Sequence, residues 1–216
     1  MSNTEKEIRS FELRAAAGDE FALVGYAARF NSPSKPIPSG ARGSFTEILK
    51  RGCFTRVLAS NPDVKCLYNH QESSILGRTK SGTLTLEQDD RGLQFRCQLD
   101  KSNSDHRNID GLVRRGDLNE CSFAFNCGDV DDDTWDLDDD GQARRTIRNV
   151  SGLYDVSVVA SPAYSNTSVS ARNTDAGLEL FELRQRLAAQ GVQITNDAEW
   201  LALRARALEL EKEIWK

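Results

Sequence analysis

The sequence predicts a mainly β protein with helices (α+β) that ends in a helical C-terminal tail. Three observations carry this. Short runs of alternating apolar and polar residues recur from position 8 to position 159. Turn signals rich in glycine, proline and aspartate separate them. After Arg172 the apolar spacing becomes helical, with Leu180, Leu183 and Leu187, then Leu201, Leu208 and Trp215. The chain therefore divides into a β-rich domain over 8–172 and an amphipathic helical tail over 173–216.

In order along the chain, Ile8 to Ala15 and Phe21 to Phe30 read as strands. Asn31 to Gly43 holds Pro33, Pro36 and Pro38 and reads as a loop. Ser44 to Leu58 reads as helix, break at Gly52, helix. Val64 to His70 is a strand with Val64, Cys66, Tyr68 and His70 on one face. Gln71 to Arg78 reads as a loop. Thr83 to Glu87 and Gly92 to Asp100 form a hairpin around Asp89, Asp90 and Arg91. Ser102 to Arg115 is a helix capped by Ser102 or Ser104 and stopped at Gly116.

Leu118 to Cys127 is the next strand. Alternation places Cys121, Phe123, Phe125 and Cys127 on an apolar face and Glu120, Ser122, Ala124 and Asn126 on a small, polar one. Asp129 to Asp140 carries eight aspartates. Asp136, Asp138, Asp140 and Gly141 resemble the start of a calcium loop, but Ile147 stands where the loop needs glutamate, so an acidic hairpin with its tip at Asp140-Gly141 is the better reading. Arg144 to Val150 and Gly152 to Val159 close the strand series.

Composition narrows the function. A formal net charge of −5 argues against a general nucleic-acid binder. No apolar run approaches the ~18 residues of a membrane span, and the first residues lack the apolar core of a signal peptide. A cytoplasmic protein is expected. Cys53, Cys66, Cys97, Cys121 and Cys127 contain no CxxC pair and read as reduced, buried thiols; no metal or cofactor is expected.

Only two histidines, His70 and His106, could supply an imidazole. Serine attack on a carbonyl needs an adjacent base, and that base needs an acceptor to fix its tautomer. His70, Ser122 and Asp155 can form such a set, since each lies in or beside an expected strand. Asp155, inside Leu153-Tyr-Asp-Val-Ser-Val-Val, would be costly to bury without a partner. A backbone N–H or Arg148 could satisfy it instead. Cys121 is a rival nucleophile, placed by alternation on the apolar face. Glu120 is a rival acceptor, and His106 lies on the polar side of its helix.

These residues carry a resemblance to the prohead maturation proteases of tailed bacteriophages, the group typified by phage HK97. It runs from roughly Phe11 to Arg172. The landmarks are Gly25-Tyr-Ala-Ala-Arg-Phe-Asn31, Phe45-Thr-Glu-Ile48, Gly52-Cys-Phe54, Leu67-Tyr-Asn-His70, Leu76-Gly-Arg78, Cys121-Ser-Phe-Ala-Phe125, Tyr154-Asp-Val-Ser-Val-Val159 and Pro162-Ala-Tyr164. The resemblance implies a serine endopeptidase that removes a scaffolding segment from the major capsid protein during head maturation and digests itself. It puts the base on His70, the nucleophile on Ser122 and the third member on Asp155. The chain departs from the family pattern at Ala124, where glycine is usual, and at Asp155, where glutamate is common.

The family is in turn similar to the herpesvirus assemblins, which implies an assemblin-like β-barrel flanked by helices. Since the assemblins' third member is a histidine, that analogy makes His106 the rival to Asp155. The expected partner is a capsid or scaffold polypeptide, with no nucleic acid or membrane. The expected location is the host cytoplasm and the prohead interior. The tail could dock on helical scaffold, self-associate or cover the domain's own core. The rival class is a non-enzymatic capsid-assembly or scaffold-binding protein on the same fold.

Overall fold

The computed structural model describes residues 7–18, 20–38, 44–128 and 131–160, with four helical residues between 182 and 189. Those four apart, the helical tail expected over 173–216 lies outside the described residues. Eight strands build the main sheet: β1 (Glu7–Ala15), β2 (Ala22–Arg29), β5 (Lys65–Tyr68), β6 (Gln71–Arg78), β7 (Leu84–Gln88), β8 (Gly92–Gln98), β9 (Glu120–Asn126) and β12 (Gly152–Val159). Their order is β6-β5-β12-β9-β1-β2-β8-β7. A second sheet, in the order β10-β11-β4-β3, contains β3 (Ile37–Pro38), β4 (Ser44–Leu49), β10 (Asp133–Leu137) and β11 (Ala143–Ile147). The described helices are α1 (Thr55–Ala59) and α2 (Ser104–Arg115). The α+β class stands.

The described strands do not close into a barrel, because β6 and β7 remain unpaired edges. The sheet curls far enough that a Cβ at Gly77 of β6 would lie 2.6 Å from Cys97 Sγ on β8. Pairing stops there because the Arg78 N–H donates to the Thr83 hydroxyl, and a 3-10 turn over Thr79–Ser81 carries the chain away.

Two segments differ from their expected structure. Thr46 to Lys50 is not a helical turn: Ser44–Leu49 is strand β4, parallel to β11, with Phe45, Glu47 and Leu49 buried at alternate positions. Its apolar residues fit either period in so short a run, and pairing with β11 decides the outcome. Gln71–Arg78 is an edge strand and not a loop. Its outer half is largely exposed, and bulges disturb its pairing with β5, so it shows no alternation. Helix α2 begins one residue from an expected cap: Asn103 accepts the Asp105 N–H at 2.8 Å, and Gly116 ends the helix in the left-handed region.

One face of the main sheet packs the core. Leu23, Ala27, Leu93, Cys97, Cys121, Phe123, Phe125, Val156 and Val158 are each fully buried there. Phe123 stacks on Phe125 with centroids 4.9 Å apart and meets Phe54 edge-on at 5.8 Å. Burial of each ring contributes about 2–3 kcal/mol, and each ring pair roughly 1 more. This aromatic anchoring fixes the register of β9, and with it the direction in which Ser122 points.

The second sheet holds a buried charge network. Arg145, 1% exposed, donates from Nε to Asp133 at 2.6 Å and from Nη1 to Glu47 at 3.2 Å. Removing the guanidinium strands two buried carboxylates. Arg145→Ala is therefore expected to cost about 3–5 kcal/mol in urea unfolding, whereas Arg144→Ala, which breaks an exposed pair with Asp136, should cost about 1 kcal/mol or less.

Candidate active site

Ser122 sits in the middle of β9, on the face turned away from the aromatic core. Its register partners are Ser10 on β1 and Ser157 on β12. Alternation from the sequence gives this face correctly, since Cys121, Phe123 and Phe125 all belong to the core cluster.

Asp155 reaches the same face through a β-bulge. Leu153 pairs with Phe125, yet Asp155 pairs with Ala124, so Tyr154 is an extra residue. Strict alternation would put Asp155 beside Leu153 on the core side. The bulge turns Asp155 and Ser157 onto the serine face, while Val156 and Val158 enter the core. Asp155 is 3% exposed and its register neighbour Ala124 is 1% exposed. The methyl at 124 thus lies beside the carboxylate's strand position.

His70 is not the last residue of a strand. β5 ends at Tyr68, which pairs with Gln71, and Asn69-His70 is a two-residue hairpin connection. Both residues have positive φ, 51° and 57°, as a type I′ turn demands. Each left-handed non-glycine residue costs about 1–2 kcal/mol, so other contacts must hold the turn. The Asn69 N–H donates to Val158 O at 2.8 Å, and Asn69 Oδ1 accepts the Ala160 N–H at 3.1 Å. The turn is thereby clipped to the end of β12. A continued strand would have put His70 on the core side with Cys66; the turn swings it to the carboxylate side.

The result is a short contact of 2.7 Å between His70 Nδ1 and Asp155 Oδ1. A carboxylate only accepts, so Nδ1 carries a proton, and in the neutral imidazole the lone pair is then on Nε2. Among the described residues, Nε2 is buried and has no hydrogen-bond partner, and Ser122 Oγ is likewise buried without one. The two orphan atoms are the proton acceptor and the hydroxyl that serine chemistry would join, and in this conformation they do not bond each other. A buried polar atom left unsatisfied costs about 1–3 kcal/mol; such atoms concentrate where function, not stability, sets the residue.

Ser157 was not singled out from the sequence. Its hydroxyl donates to Asp155 Oδ1 at 2.7 Å, so one carboxylate oxygen receives both Ser157 and His70. The only sequence signal was a serine two residues after the aspartate in an otherwise apolar strand.

The rivals are placed elsewhere. His106 Nδ1 accepts the Asp100 N–H at 3.0 Å and Nε2 lies 3.1 Å from Ile75 O. Both ring nitrogens are used to tie α2 to the sheet, which leaves no lone pair for a serine. Cys121 is fully buried on the core face, and its thiol donates to Tyr26 O at 3.3 Å. Burial pushes the Cys53 thiol up to about 12, and a hydrogen bond with Cys97, together with burial, pushes Cys66 well up. These are unreactive core thiols. Glu120 Oε2 is buried and unpartnered at the start of β9; it is Asp155 that bonds the histidine. Arg148, the alternative partner for Asp155, bonds through its backbone N–H to Asp132 O.

No curated protein and no solved structure matches this chain. A family model described as caudovirus prohead serine protease matches residues 8–179, which reaches every described strand and covers all three residues of the serine, histidine and aspartate set. Both the sheet that carries this set and the match extend over most of the sequence, and the chain belongs to the caudovirus prohead serine protease family.

Proposed function

We propose that residues 8–172 form a serine endopeptidase that cleaves the major capsid protein, or the scaffolding segment attached to it, and also cleaves itself. Ser122 is the nucleophile, His70 the general base and Asp155 the residue that orients it. The observation that carries this reading is the His70–Asp155 contact, which leaves Nε2 free on the sheet face that bears Ser122. Ser122 Oγ attacks the scissile carbonyl carbon while its proton passes to Nε2. The imidazolium, stabilised by Asp155, then protonates the leaving amine nitrogen as the C–N bond breaks. Water repeats the sequence on the acyl-enzyme and restores the hydroxyl. Backbone N–H groups are expected to hold the oxyanion.

Ser122 is fully buried and Nε2 is unbonded, which supports a latent site that assembly completes. Such latency suits a protease made in the host cytoplasm and used inside the prohead, with the tail over 173–216 docked on scaffold. The same burial is what a non-enzymatic scaffold-binding protein would show, so one experiment must separate the two. In co-expression with the phage's own capsid protein, wild type should shorten the capsid protein and Ser122→Ala should leave it intact by mass. Stable co-assembly with no cleavage by folded wild type would favour the binding protein.

Ser157 acts through Asp155. Ser157→Ala should lower kcat by roughly 10–100-fold with KM little changed, the scale of losing a supporting hydrogen bond, and Ser157→Thr should recover much of it. Equal losses in both variants would mean that the hydroxyl is not the operative group.

A further inference from the structure

A cavity of roughly 720 Å³ opens on the serine face of the main sheet, away from the His70–Asp155 pair. The ladder shows why it shares that face. Ser10 pairs with Ser122, and four residues further along β1, Arg14 pairs with Val24, which pairs with Arg96, which pairs with Thr85. The adjacent row runs Tyr26, Gln94, Glu87. At 3.4 Å per residue and 4.8 Å per strand, these rows begin about 12–14 Å from Ser122. Asn119, three residues before Ser122, lines the near wall.

The lining is strongly basic in a chain of net charge −5. Among the described lining residues, Arg14, Arg29, Arg91 and Arg96 stand with one carboxylate, Glu87. Two of these charges are held in place by the Tyr26 ring, with Arg29 and Arg91 lying 4.5 and 4.9 Å from its centroid. The ring is fixed in turn by its hydroxyl, which donates to Asp89 at 2.7 Å; hydrogen bonds from Tyr26 and neighbouring backbone N–H groups hold that carboxyl well below its usual range. Arg96 pairs with Glu20, and Arg91 lies 3.7 Å from Asp89. Arg14 is exposed and forms no ion pair with a described residue. Guanidinium groups at fixed positions match carboxylates in two-point contacts better than they match neutral side chains.

We infer that this arginine cavity is a substrate subsite that takes an acidic segment of the polypeptide, roughly four residues along the chain from the bond presented to Ser122. The inference rests on the serine-protease reading for its position, but binding can be measured without cleavage. A nucleic acid is the less favoured occupant, since the basic surface is a single cavity rather than an extended stripe.

The test uses full-length Ser122→Ala protein and fluorescein-labelled octaglutamate, read by fluorescence anisotropy at low and high salt. Saturable, salt-sensitive binding is expected, weakened at least tenfold by Arg14→Glu and by Arg91→Glu. It should be unchanged by Arg115→Glu, a reversal on the exposed end of α2. Arg14→Gln gives a milder check if a reversal unfolds the protein. Equal binding across these variants, no binding at all, or binding of a dT12 oligonucleotide in preference to octaglutamate would overturn the proposal. In the active protein, Arg14→Gln should raise KM for a substrate with acidic residues while kcat holds. Octaglutamate binding that persists while Ser122→Ala still cleaves would refute the nucleophile and leave the cavity standing. Ser122-dependent cleavage indifferent to Arg14 and Arg91 would do the reverse.

Discussion

Ser122→Ala and His70→Ala are each expected to abolish processing of the capsid protein, with losses on the order of 10⁶ in kcat. The two changes should not be additive, because the proposed nucleophile and base would act as one unit. Stability supplies a second signature. Ser122 Oγ is buried with no hydrogen-bond partner among the described residues, so deleting it removes an unsatisfied group and leaves only a small void. Ser122→Ala should therefore match or exceed the wild type in stability, by up to about 1 kcal/mol. His70→Ala should instead lose about 1–2 kcal/mol, since Asp155 loses one of its two side-chain donors. Activity and stability would then move in opposite directions at Ser122, as expected of a residue kept for chemistry. A Ser122→Ala protein that is destabilised by several kcal/mol would mark the serine as structural.

Asp155→Asn carries the second largest effect. The amide can turn its nitrogen to the position of Oδ1, which meets both His70 and Ser157, and there the Ser157 hydroxyl can accept an N–H, so the strand and its bulge should persist. It can also present an N–H to His70 Nδ1, which would reverse the tautomer and place the proton on Nε2, where Ser122 needs an acceptor. The expected loss is on the order of 10⁴ in kcat, with an unchanged circular dichroism spectrum and a midpoint in urea close to wild type. Full activity in Asp155→Asn would remove the aspartate from the mechanism and return Glu120 to consideration. His106 would remain excluded by its two structural bonds. Asp155→Glu is informative in the other direction: the longer side chain must fit beside Ala124, which is 1% exposed, and Ala124→Gly should ease that fit.

The setting of Ser122 was legible in the sequence because β9 obeys strict alternation, with Phe123 and Phe125 declaring the core side. The other two positions were identifiable as residue types but not as geometry. Alternation assigns Asp155 to the face of Leu153, and only the bulge at Tyr154 corrects it. Alternation likewise carries His70 to the core side, and only the turn with Asn69 reverses it. Both devices are irregularities, and periodicity contains no information about an irregularity. Asn69 was the one cue, as a residue that tolerates positive φ just before the histidine. β4 and β6 escape periodicity for a related reason. One pairs in parallel with a strand nearly a hundred residues away, the other is a disturbed edge, and neither leaves a clean local pattern. The barrel implied by the assemblin likeness is not closed by the described strands, since β6 and β7 remain edges.

The central claim is that Ser122, activated by His70, is the group that attacks. The most direct measurement is covalent trapping in assembled proheads with a fluorophosphonate, followed by peptide mass spectrometry. The account predicts one phosphonylated residue, Ser122, with the adduct absent in His70→Ala and strongly slowed in Asp155→Asn. An adduct on Ser157 or Cys121, or a Ser122 adduct formed equally fast without His70, would contradict it.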